Sequence, residues 1–199
     1  MADKAAFLFD KLHMPEQVAF ARALSKRWKA VVRKYLIDEN TMLAAGNCQT
    51  SQAMAIYYNI FEPAERKAAF EQLINLIEEQ EYHLDVGVLG GRVLFHVLTE
   101  FGYSDLAFSM ITRPDYPSYG NWIARGATTL WEVFQPEGSD RIGSLNHHFW
   151  GDISSWFTQA LSGIRMAPHG EPNEVDFRPS FISRLTHAEA FHIAPAGRI

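Results

Sequence analysis

Two short segments of this chain place a carboxylate, an indole and an imidazole close together in sequence. The first, Gly126 to Glu132, reads GATTLWE, and the second, Ser144 to His147, reads SLNH. The apolar face of a sugar packs well on an indole such as that of Trp131, and hydrolysis of a glycosidic bond needs a carboxylate as base or nucleophile. These residues therefore predict a site that binds a sugar and activates water.

The composition is that of a globular protein with a large aromatic core. The 199 residues are 47% hydrophobic, 13% aromatic and 21% charged, which excludes a disordered or coiled-coil chain. The net charge is −5 and no long run of Lys or Arg occurs, so we expect neither nucleic acid nor a membrane as partner. Residues 1–20 do not resemble a signal peptide, and the sequence leaves the compartment open.

Neither the single cysteine nor the adjacent histidines predict a metal site. Cys48 has no Cys or His partner at zinc spacing and is interpreted as a small buried residue. Adjacent side chains point apart on most backbones, and no third ligand is spaced to join His147 and His148. We therefore expect no metal, with His147 binding a sugar hydroxyl and His148 serving a structural role.

Hydrophobic residues recur every three or four positions through the first 163 residues, which predicts helical hairpins with short connections. A helix is predicted over 17–35, with Trp28 in the core. Thr50 is a candidate N-cap for the next helix, and Pro63 a candidate for the first turn of a third that ends before Tyr82. Further helices are predicted from Leu94 to a C-cap at Gly102, after Ser104, around Trp122, and from about Asp152 to Gly163, with Trp156 in the core.

The sequence pattern changes after Ile164. Prolines then break any helix, whereas Val175, Phe177 and Phe181 alternate with polar residues as in a β-strand. Too few strands follow to close a sheet, so we expect the opening of a β-domain that continues beyond Ile199.

Five segments carry a more specific pattern. In chain order they are HLDVGVLGGRVLFHVL (83–98), DLAFSMI (105–111), DYPSYG (115–120), GATTLWE (126–132) and SLNHHFWGDISSWF (144–157). The match spans most of residues 45–165, and several motifs in register are far more specific than any one alone. This set resembles the bacterial α-L-rhamnosidases of glycoside hydrolase family 78.

The resemblance implies a mainly α fold, a partial (α/α)6 six-hairpin toroid followed by the first strands of a C-terminal β-sandwich. Residues 1–164 would form the C-terminal half of the catalytic barrel, and residues 165–199 the start of the sandwich. The chain would then be a fragment of a longer enzyme. Helix faces that normally meet the missing hairpins would be exposed and would favour self-association.

The resemblance also implies a reaction and the roles of particular residues. Family members release terminal α-L-rhamnose from rhamnose-containing oligosaccharides or glycosides with inversion, using one carboxylic acid and one carboxylate and no cofactor. The general base falls on Glu132 and a substrate-binding histidine on His147, with Trp131 and Trp122 as walls of the pocket. The general acid lies in a CPxRDE-like motif that nothing here matches, so this chain alone is expected to be inactive.

Other carboxylates and glycines in these motifs have simpler interpretations. Asp85, Glu100, Asp115 and Asp152 are not predicted to be catalytic, since Asp152 suits an N-cap and Glu100 a solvated helix position. The glycines at positions 87, 90 and 91 lack the lysine and hydroxyl of a phosphate-binding loop and are interpreted as a tight helix entry.

The sequence also departs from the family pattern beside the glutamate. Relatives usually read WERW, whereas this chain has Val133 and Phe134 after Glu132, and Tyr119 stands where PSWG would place a tryptophan. Another six-hairpin glycosidase, acting on fucosides or arabinosides, is therefore an alternative. A further alternative is a non-catalytic helical-hairpin module that binds proteins, in which Glu132→Gln would change nothing.

Overall fold

The structure is a computed structural model that describes residues 1–139, 143–166, 174–194 and 197–198. Its helices are α1 (Ala2–Lys11), α2 (Pro15–Leu36), α3 (Gln49–Tyr57), α4 (Arg66–Glu79), α5 (Val88–Gly91), α6 (Leu94–Glu100), α7 (Ser104–Thr112), α8 (Tyr119–Ala124) and α9 (Ile153–Trp156), the last continued by a π-helical turn (Phe157–Leu161). Its strands are β1 (Ile37–Asp38), β2 (Leu43–Ala44), β3 (Ile164–Met166), β4 (Val175–Phe177), β5 (Ile193–Ala194) and β6 (Gly197–Arg198). The mainly α prediction is confirmed. Within the described ranges, no helix is long and apolar enough to cross a membrane.

Helices α1 and α2 pack against each other as a hairpin, with Pro15 at the start of α2. The predicted helix over 17–35 is confirmed, whereas α1 had no clear signal in the sequence. Val18 and Ala21 are buried, but Trp28 is 59% exposed, so its predicted place in the core is wrong. The described elements leave that face of α2 open to solvent.

An arginine joins the end of α2 to the start of α4. The Arg33 guanidinium donates to both carboxylate oxygens of Glu65, at 2.6 and 2.9 Å, and to the carbonyl oxygen of Ile60 at 3.1 Å. Lys29 adds a 2.9 Å ion pair to Glu62. A bidentate pair of this kind fixes orientation as well as distance, so it sets how the hairpin approaches the rest of the fold.

The main core lies between α3 and the helices around it, α4, α5 and α6. Gln52 is completely buried on α3 and uses both ends of its amide. Its oxygen accepts from the Ala44 amide at 2.7 Å, and its nitrogen donates to the carbonyl oxygens of Met42 and Ala69 at 2.9 and 2.8 Å. A buried amide with its partners satisfied links the β1–β2 hairpin to α3 and α4.

Two predicted helix starts differ from the structure. The residue preceding α3 is Cys48, partly buried with a free thiol. Thr50 lies inside the helix, where it packs so closely on Gly90 that a Cβ added to Gly90 would overlap Thr50 Oγ1. The N-cap prediction for Thr50 is therefore wrong. Helix α4 begins only at Arg66, because residues 62–65 form a turn in which the Glu62 amide donates to Glu65 Oε2 at 2.7 Å, so Pro63 precedes the helix.

Other predicted helix ends agree with the structure. Helix α4 ends at Glu79, before Tyr82, and α6 is followed by Gly102 in a left-handed conformation, with φ of +85°. Trp156 is 1% exposed, as expected for a core residue, and its indole nitrogen donates to Phe95 O at 3.0 Å and to Thr99 Oγ1 at 2.8 Å. Asp152 precedes α9 but makes no side-chain cap.

The described residues after Ile164 form two short antiparallel hairpins. Strand β3 pairs with β4, with Ile164 opposite Phe177, and β5 pairs with β6. Phe181 lies outside a strand and is exposed. Between these hairpins the chain contacts α7, where the amide and hydroxyl of Ser183 donate to Asp105 Oδ1 at 2.8 and 2.6 Å. Short strands therefore follow the helices, and a β-sandwich beginning at residue 165 stays a prediction.

Candidate active site

The GATTLWE and SLNH segments lie side by side in the structure. The Glu132 amide donates to Ser144 O at 2.8 Å, and the His147 amide donates to Leu130 O at the same distance. The Thr129 hydroxyl adds a bond to the carbonyl oxygen of Leu145. Backbone pairing thus brings the glutamate and the histidine, fifteen positions apart in sequence, onto neighbouring segments.

The position of Glu132 is fixed at its side chain and at its backbone. Its Oε2 accepts a hydrogen bond from the Ser144 amide at 2.8 Å, and its carbonyl oxygen accepts from the Trp150 indole at 2.9 Å. Trp150 is buried and packs against Gly91, where a Cβ would lie 2.6 Å from the indole ring. A carboxylate oriented in this way is suited to act on a bound group at a defined position.

Glu132 lines an open cavity of about 550 Å³, which we call the glutamate cavity. This volume lies in the usual range for small-molecule sites. The lining combines two carboxylates with apolar and aromatic side chains: Leu84, Asp85, Val86, Gly87, Val88, Tyr116, Pro117, Glu132, Val133, Phe134, Phe149 and Trp150. The arrangement provides hydrogen-bond acceptors for hydroxyl groups and ring faces for the apolar side of a sugar.

Asp85 is the second carboxylate of the cavity, and the sequence did not predict its place there. Its position depends on Gln49, a completely buried residue of α3. The Gln49 oxygen accepts from the Asp85 amide at 3.1 Å, and its nitrogen donates to His83 O at 2.8 Å. Asp85 belongs to one of the resembling motifs, HLDVG, but only the fold shows that this segment reaches the same cavity as Glu132.

The contacts of the neighbouring Asp115 indicate a structural role. Its carboxylate lies 2.8 Å from both an Arg113 nitrogen and His83 Nε2, and the hydrogen bonds from these two residues lower the pKa of Asp115 well below its usual range. The hydrogen bond between His83 and Asp115 connects the segment that leads to Asp85 with the segment that leads to Tyr116. Asp115 therefore helps to hold the two sides of the glutamate cavity together.

His147 lies beside the glutamate cavity. Its Nδ1 accepts a hydrogen bond from the Phe149 amide at 3.2 Å, and its ring packs edge-on against the Phe149 ring, which lines the cavity. A neutral imidazole that accepts at Nδ1 carries its proton on Nε2, so that nitrogen can donate to a ligand. His148 stacks parallel to His147, with ring centroids 5.2 Å apart.

Trp122 and Trp131 lie in an aromatic cluster behind the cavity. Trp122 is 2% exposed and stacks on Phe134 at 4.3 Å, so it supports a residue of the cavity wall. It also lines a separate, mainly apolar cavity of about 660 Å³. Trp131 is 9% exposed, with the Arg125 guanidinium 5.1 Å from its ring centre. Direct contact of either indole with a sugar stays a prediction.

Two of the three positions that depart from the family pattern, Tyr119 and Phe134, contact each other. The rings of Tyr119 and Phe134 meet edge-on, with centroids 5.5 Å apart, and both pack against Trp150. Burial raises the pKa of the Tyr119 phenol, whose hydroxyl lies 3.4 Å from Trp150 O. Both residues thus pack on Trp150, whose indole donates to the carbonyl oxygen of Glu132.

Residues 1–161 match the model of a family described as the bacterial alpha-L-rhamnosidase 6 hairpin glycosidase domain. The α-L-rhamnosidase of Streptomyces avermitilis is 33% identical over 151 residues, which are 73% of this chain and 15% of that protein. That of Alteromonas sp. (strain LOR) is 29% identical over 187 residues, 89% of this chain and 20% of that protein. The chain therefore spans a fifth or less of the length of these relatives.

Solved structures of similar proteins agree with this match. The crystal structure of Streptomyces avermitilis α-L-rhamnosidase complexed with L-rhamnose has a TM-score of 0.87 at 28% identity, over 99% of this chain and 19% of that one. The α-L-rhamnosidase from Dictyoglumus thermophilum has a TM-score of 0.85 at 27% identity, over 97% and 22% of the two chains. Together with the family match, they confirm the six-hairpin fold predicted from the sequence.

Proposed function

Because the chain belongs to the bacterial α-L-rhamnosidase six-hairpin glycosidase family, we propose that it is part of an enzyme that releases terminal α-L-rhamnose from rhamnose-containing oligosaccharides or glycosides. The observation that carries the proposal is the position of Glu132, at the wall of a cavity of about 550 Å³ with its carboxylate held by the Ser144 amide. The solved relative that contains L-rhamnose supports this choice of sugar.

In the proposed mechanism the anomeric centre is inverted. Glu132 takes a proton from a water molecule while that water attacks the anomeric carbon, and a carboxylic acid on the other face protonates the leaving oxygen. The two carboxyl groups of an inverting pair are roughly 6.5 to 9.5 Å apart, which leaves room for the water. No segment of this chain matches the CPxRDE-like motif of the family's acid, so we assign the acid to polypeptide outside this chain.

His147 and the aromatic residues position the sugar in this proposal. With Nδ1 occupied by the Phe149 amide, His147 donates from Nε2 to a sugar hydroxyl. Asp85 is a hydrogen-bond acceptor in the same cavity. Trp122 supports the cavity residue Phe134 from behind, and Trp131 packs against Trp122 in the same aromatic cluster.

Hydrolysis of p-nitrophenyl α-L-rhamnoside tests the proposal. The chain alone should release no nitrophenol, because one carboxylate cannot both protonate the leaving group and activate water on the opposite face. When the chain replaces the matching stretch of the Streptomyces avermitilis enzyme, activity should appear, and Glu132→Gln should lower kcat by about 10²–10⁴-fold. Proton NMR of the first product should show the β-anomer.

Three results would contradict this assignment. Release of nitrophenol by the chain alone, abolished by Glu132→Gln, would place both catalytic groups within this chain. A folded, active chimera in which Glu132→Gln has no effect would remove Glu132 from the chemistry. A chimera that keeps its fold but does not hydrolyse the rhamnoside would favour the helical-hairpin binding module.

The second candidate function is hydrolysis of a glycoside of a different sugar, and the presence of phenylalanine at position 134 favours it. This residue lines the glutamate cavity at a position where relatives usually carry an indole, and its neighbour Tyr119 departs in the same way. A smaller ring leaves more space for substituents on the sugar. Comparing fucoside, arabinoside and rhamnoside substrates in the chimera separates the candidates, with the highest kcat/KM expected for the rhamnoside.

A further inference from the structure

A second cavity, of about 440 Å³, adjoins the glutamate cavity. We call it the arginine cavity, and its lining residues are Val88, Leu89, Arg92, His148, Phe149 and Asp152. Val88 and Phe149 line both cavities, so the two meet at these side chains. A ligand that extends out of the glutamate cavity past Phe149 therefore enters the arginine cavity.

The polar groups of the arginine cavity have unused hydrogen-bonding capacity. Arg92 is exposed and makes no hydrogen bond or ion pair with any residue in the described ranges. Asp152 Oδ2 lies 3.4 Å from Nε2 of His96, and burial lowers the pKa of this histidine, which favours its neutral form. The Asp152 carboxylate thus remains a strong acceptor, and His148 adds an exposed imidazole next to it.

We propose that the arginine cavity binds the group to which the terminal sugar is attached, and that this group is an uncharged sugar ring. This inference rests on the proposed function, in which the terminal sugar occupies the glutamate cavity. When an enzyme removes a terminal sugar, the group on the other side of the scissile bond is the leaving group. An adjoining cavity therefore receives the leaving group.

The chemistry of the lining identifies the class of group. Guanidinium N–H groups of Arg92 donate to hydroxyl oxygens, the carboxylate of Asp152 accepts from hydroxyl hydrogens, and the Phe149 ring packs on a sugar face. One cation and one carboxylate line the cavity, so their charges balance. This balance favours a neutral, hydroxyl-rich ring over an anionic one.

Binding of two sugars to the full 199-residue chain tests the inference. The probes are L-rhamnose and the disaccharide α-L-rhamnosyl-(1→6)-D-glucose, titrated by tryptophan fluorescence and by saturation-transfer NMR. The disaccharide should bind about tenfold more tightly than rhamnose, the effect of one or two net hydrogen bonds. Its glucose protons should receive saturation from the protein.

Three variants locate the effect. Arg92→Ala and Asp152→Asn should each reduce the affinity for the disaccharide toward that for rhamnose and weaken saturation of the glucose protons, while rhamnose affinity stays the same. Arg27→Ala is the matched control, because Arg27 is also exposed and makes no ion pair with the described residues, but lies on α2. Far-UV circular dichroism shows that each variant is folded.

The possible failures separate the two proposals. If rhamnose binds but the disaccharide binds no more tightly, or if Arg92→Ala weakens both ligands equally, the arginine cavity does not hold the leaving group and the role of the glutamate cavity stands. If the folded chain binds neither sugar, both the sugar-binding role of the glutamate cavity and the present inference are overturned.

Discussion

The indole nitrogen of Trp150 donates a 2.9 Å hydrogen bond to the carbonyl oxygen of Glu132. Trp150 in turn packs on Gly91, the last residue of α5, so a short helix supports the backbone of the proposed base. The same α5 contributes Val88 to the junction of the glutamate and arginine cavities. One turn of helix therefore sets both the position of the carboxylate and the shape of the space before it.

Substitution of Gly91 by alanine should destabilise the chain by about 1–3 kcal/mol, the cost of overpacking a filled site. The added methyl group would lie 2.6 Å from the Trp150 ring and would displace the indole from Glu132 O. Urea unfolding and near-ultraviolet circular dichroism measure the two effects. Gly87→Ala is the control, since a methyl group added there would meet no neighbouring group within 4 Å and the φ of Gly87 is −83°. Equal stability of the two variants would argue against this packing.

Replacement of Gln49 by leucine should leave the His83 carbonyl and the Asp85 amide without their partner. Both hydrogen bonds are part-buried, so we expect each group left unpaired to cost at most about 1–3 kcal/mol, which chemical denaturation detects. Gln17→Leu on α2 is the control, because Gln17 is exposed and its side chain forms no hydrogen bond with the described residues. An unchanged midpoint for Gln49→Leu would show that the segment leading to Asp85 is held by other contacts.

The stability of the chain should depend on His96 in mildly acidic solution. Burial lowers the pKa of His96 below its ordinary value of 6.5, although Asp152 opposes this shift. The unfolded state therefore binds a proton at a higher pH than the folded state. The contribution of His96 to the free energy of unfolding is complete above pH 6.5 and decreases as pH falls toward the pKa of His96 in the folded state. Urea unfolding at about pH 7.5 and about pH 5.0, on either side of the ordinary histidine pKa, measures it.

In His96→Gln the free energy of unfolding should change less between these two pH values than in the unmodified chain. Asp152→Asn should change it more, because removal of the carboxylate lowers the pKa of His96 further. Identical pH profiles for the unmodified chain and His96→Gln would exclude a contribution from this histidine.

Loss of the Arg33 guanidinium should loosen the α1–α2 hairpin. Arg33→Ala removes two hydrogen bonds to Glu65 and one to Ile60 O. We expect the free energy of unfolding to fall by about 1–3 kcal/mol, which is typical of hydrogen bonds that involve charged groups. Arg22→Ala, an exposed position on the same helix, is the control. If both variants unfold at the same urea concentration, the ion pair does not hold the hairpin.

The open face of α2 should cause self-association at high protein concentration. Phe20, Trp28 and Tyr35 present exposed aromatic side chains on this helix, and apolar patches of this kind tend to be buried by association. Sedimentation velocity should show an increase in mean mass with concentration, which Trp28→Glu with Tyr35→Glu reduces. Phe181→Glu, at an exposed residue remote in sequence, should leave it unchanged. Monomeric behaviour at every concentration would contradict the prediction.

Periodic patterns predicted the helices whose apolar face is buried within this chain. Helix α6 is an example, because Leu94, Val97 and Leu98 all enter the core and Gly102 then allows the left-handed turn. The periodic pattern failed where burial of a side chain depends on another part of the structure. Trp28 has the spacing of a core residue, yet burial depends on a covering surface, which the described elements do not supply.

Motif resemblance predicted Glu132 and His147 as candidate site residues before any geometry was known. It could not predict that their two segments lie side by side, since this depends on backbone hydrogen bonds between two irregular segments. The sequence also did not indicate that Asp85 lines the same cavity as Glu132. The side-chain amide of the buried Gln49, 36 positions earlier, holds the segment of Asp85 at the cavity. Neither a glutamine nor an aspartate in the sequence predicts such a contact.

The contact between Tyr119 and Phe134 has an evolutionary consequence. The rings of Tyr119 and Phe134 contact each other and both pack on Trp150, so a change in the size of one ring alters the space that is left for the other. The identities of these two positions should therefore covary among homologous sequences, and a lineage that altered one would have been under selection to alter the other.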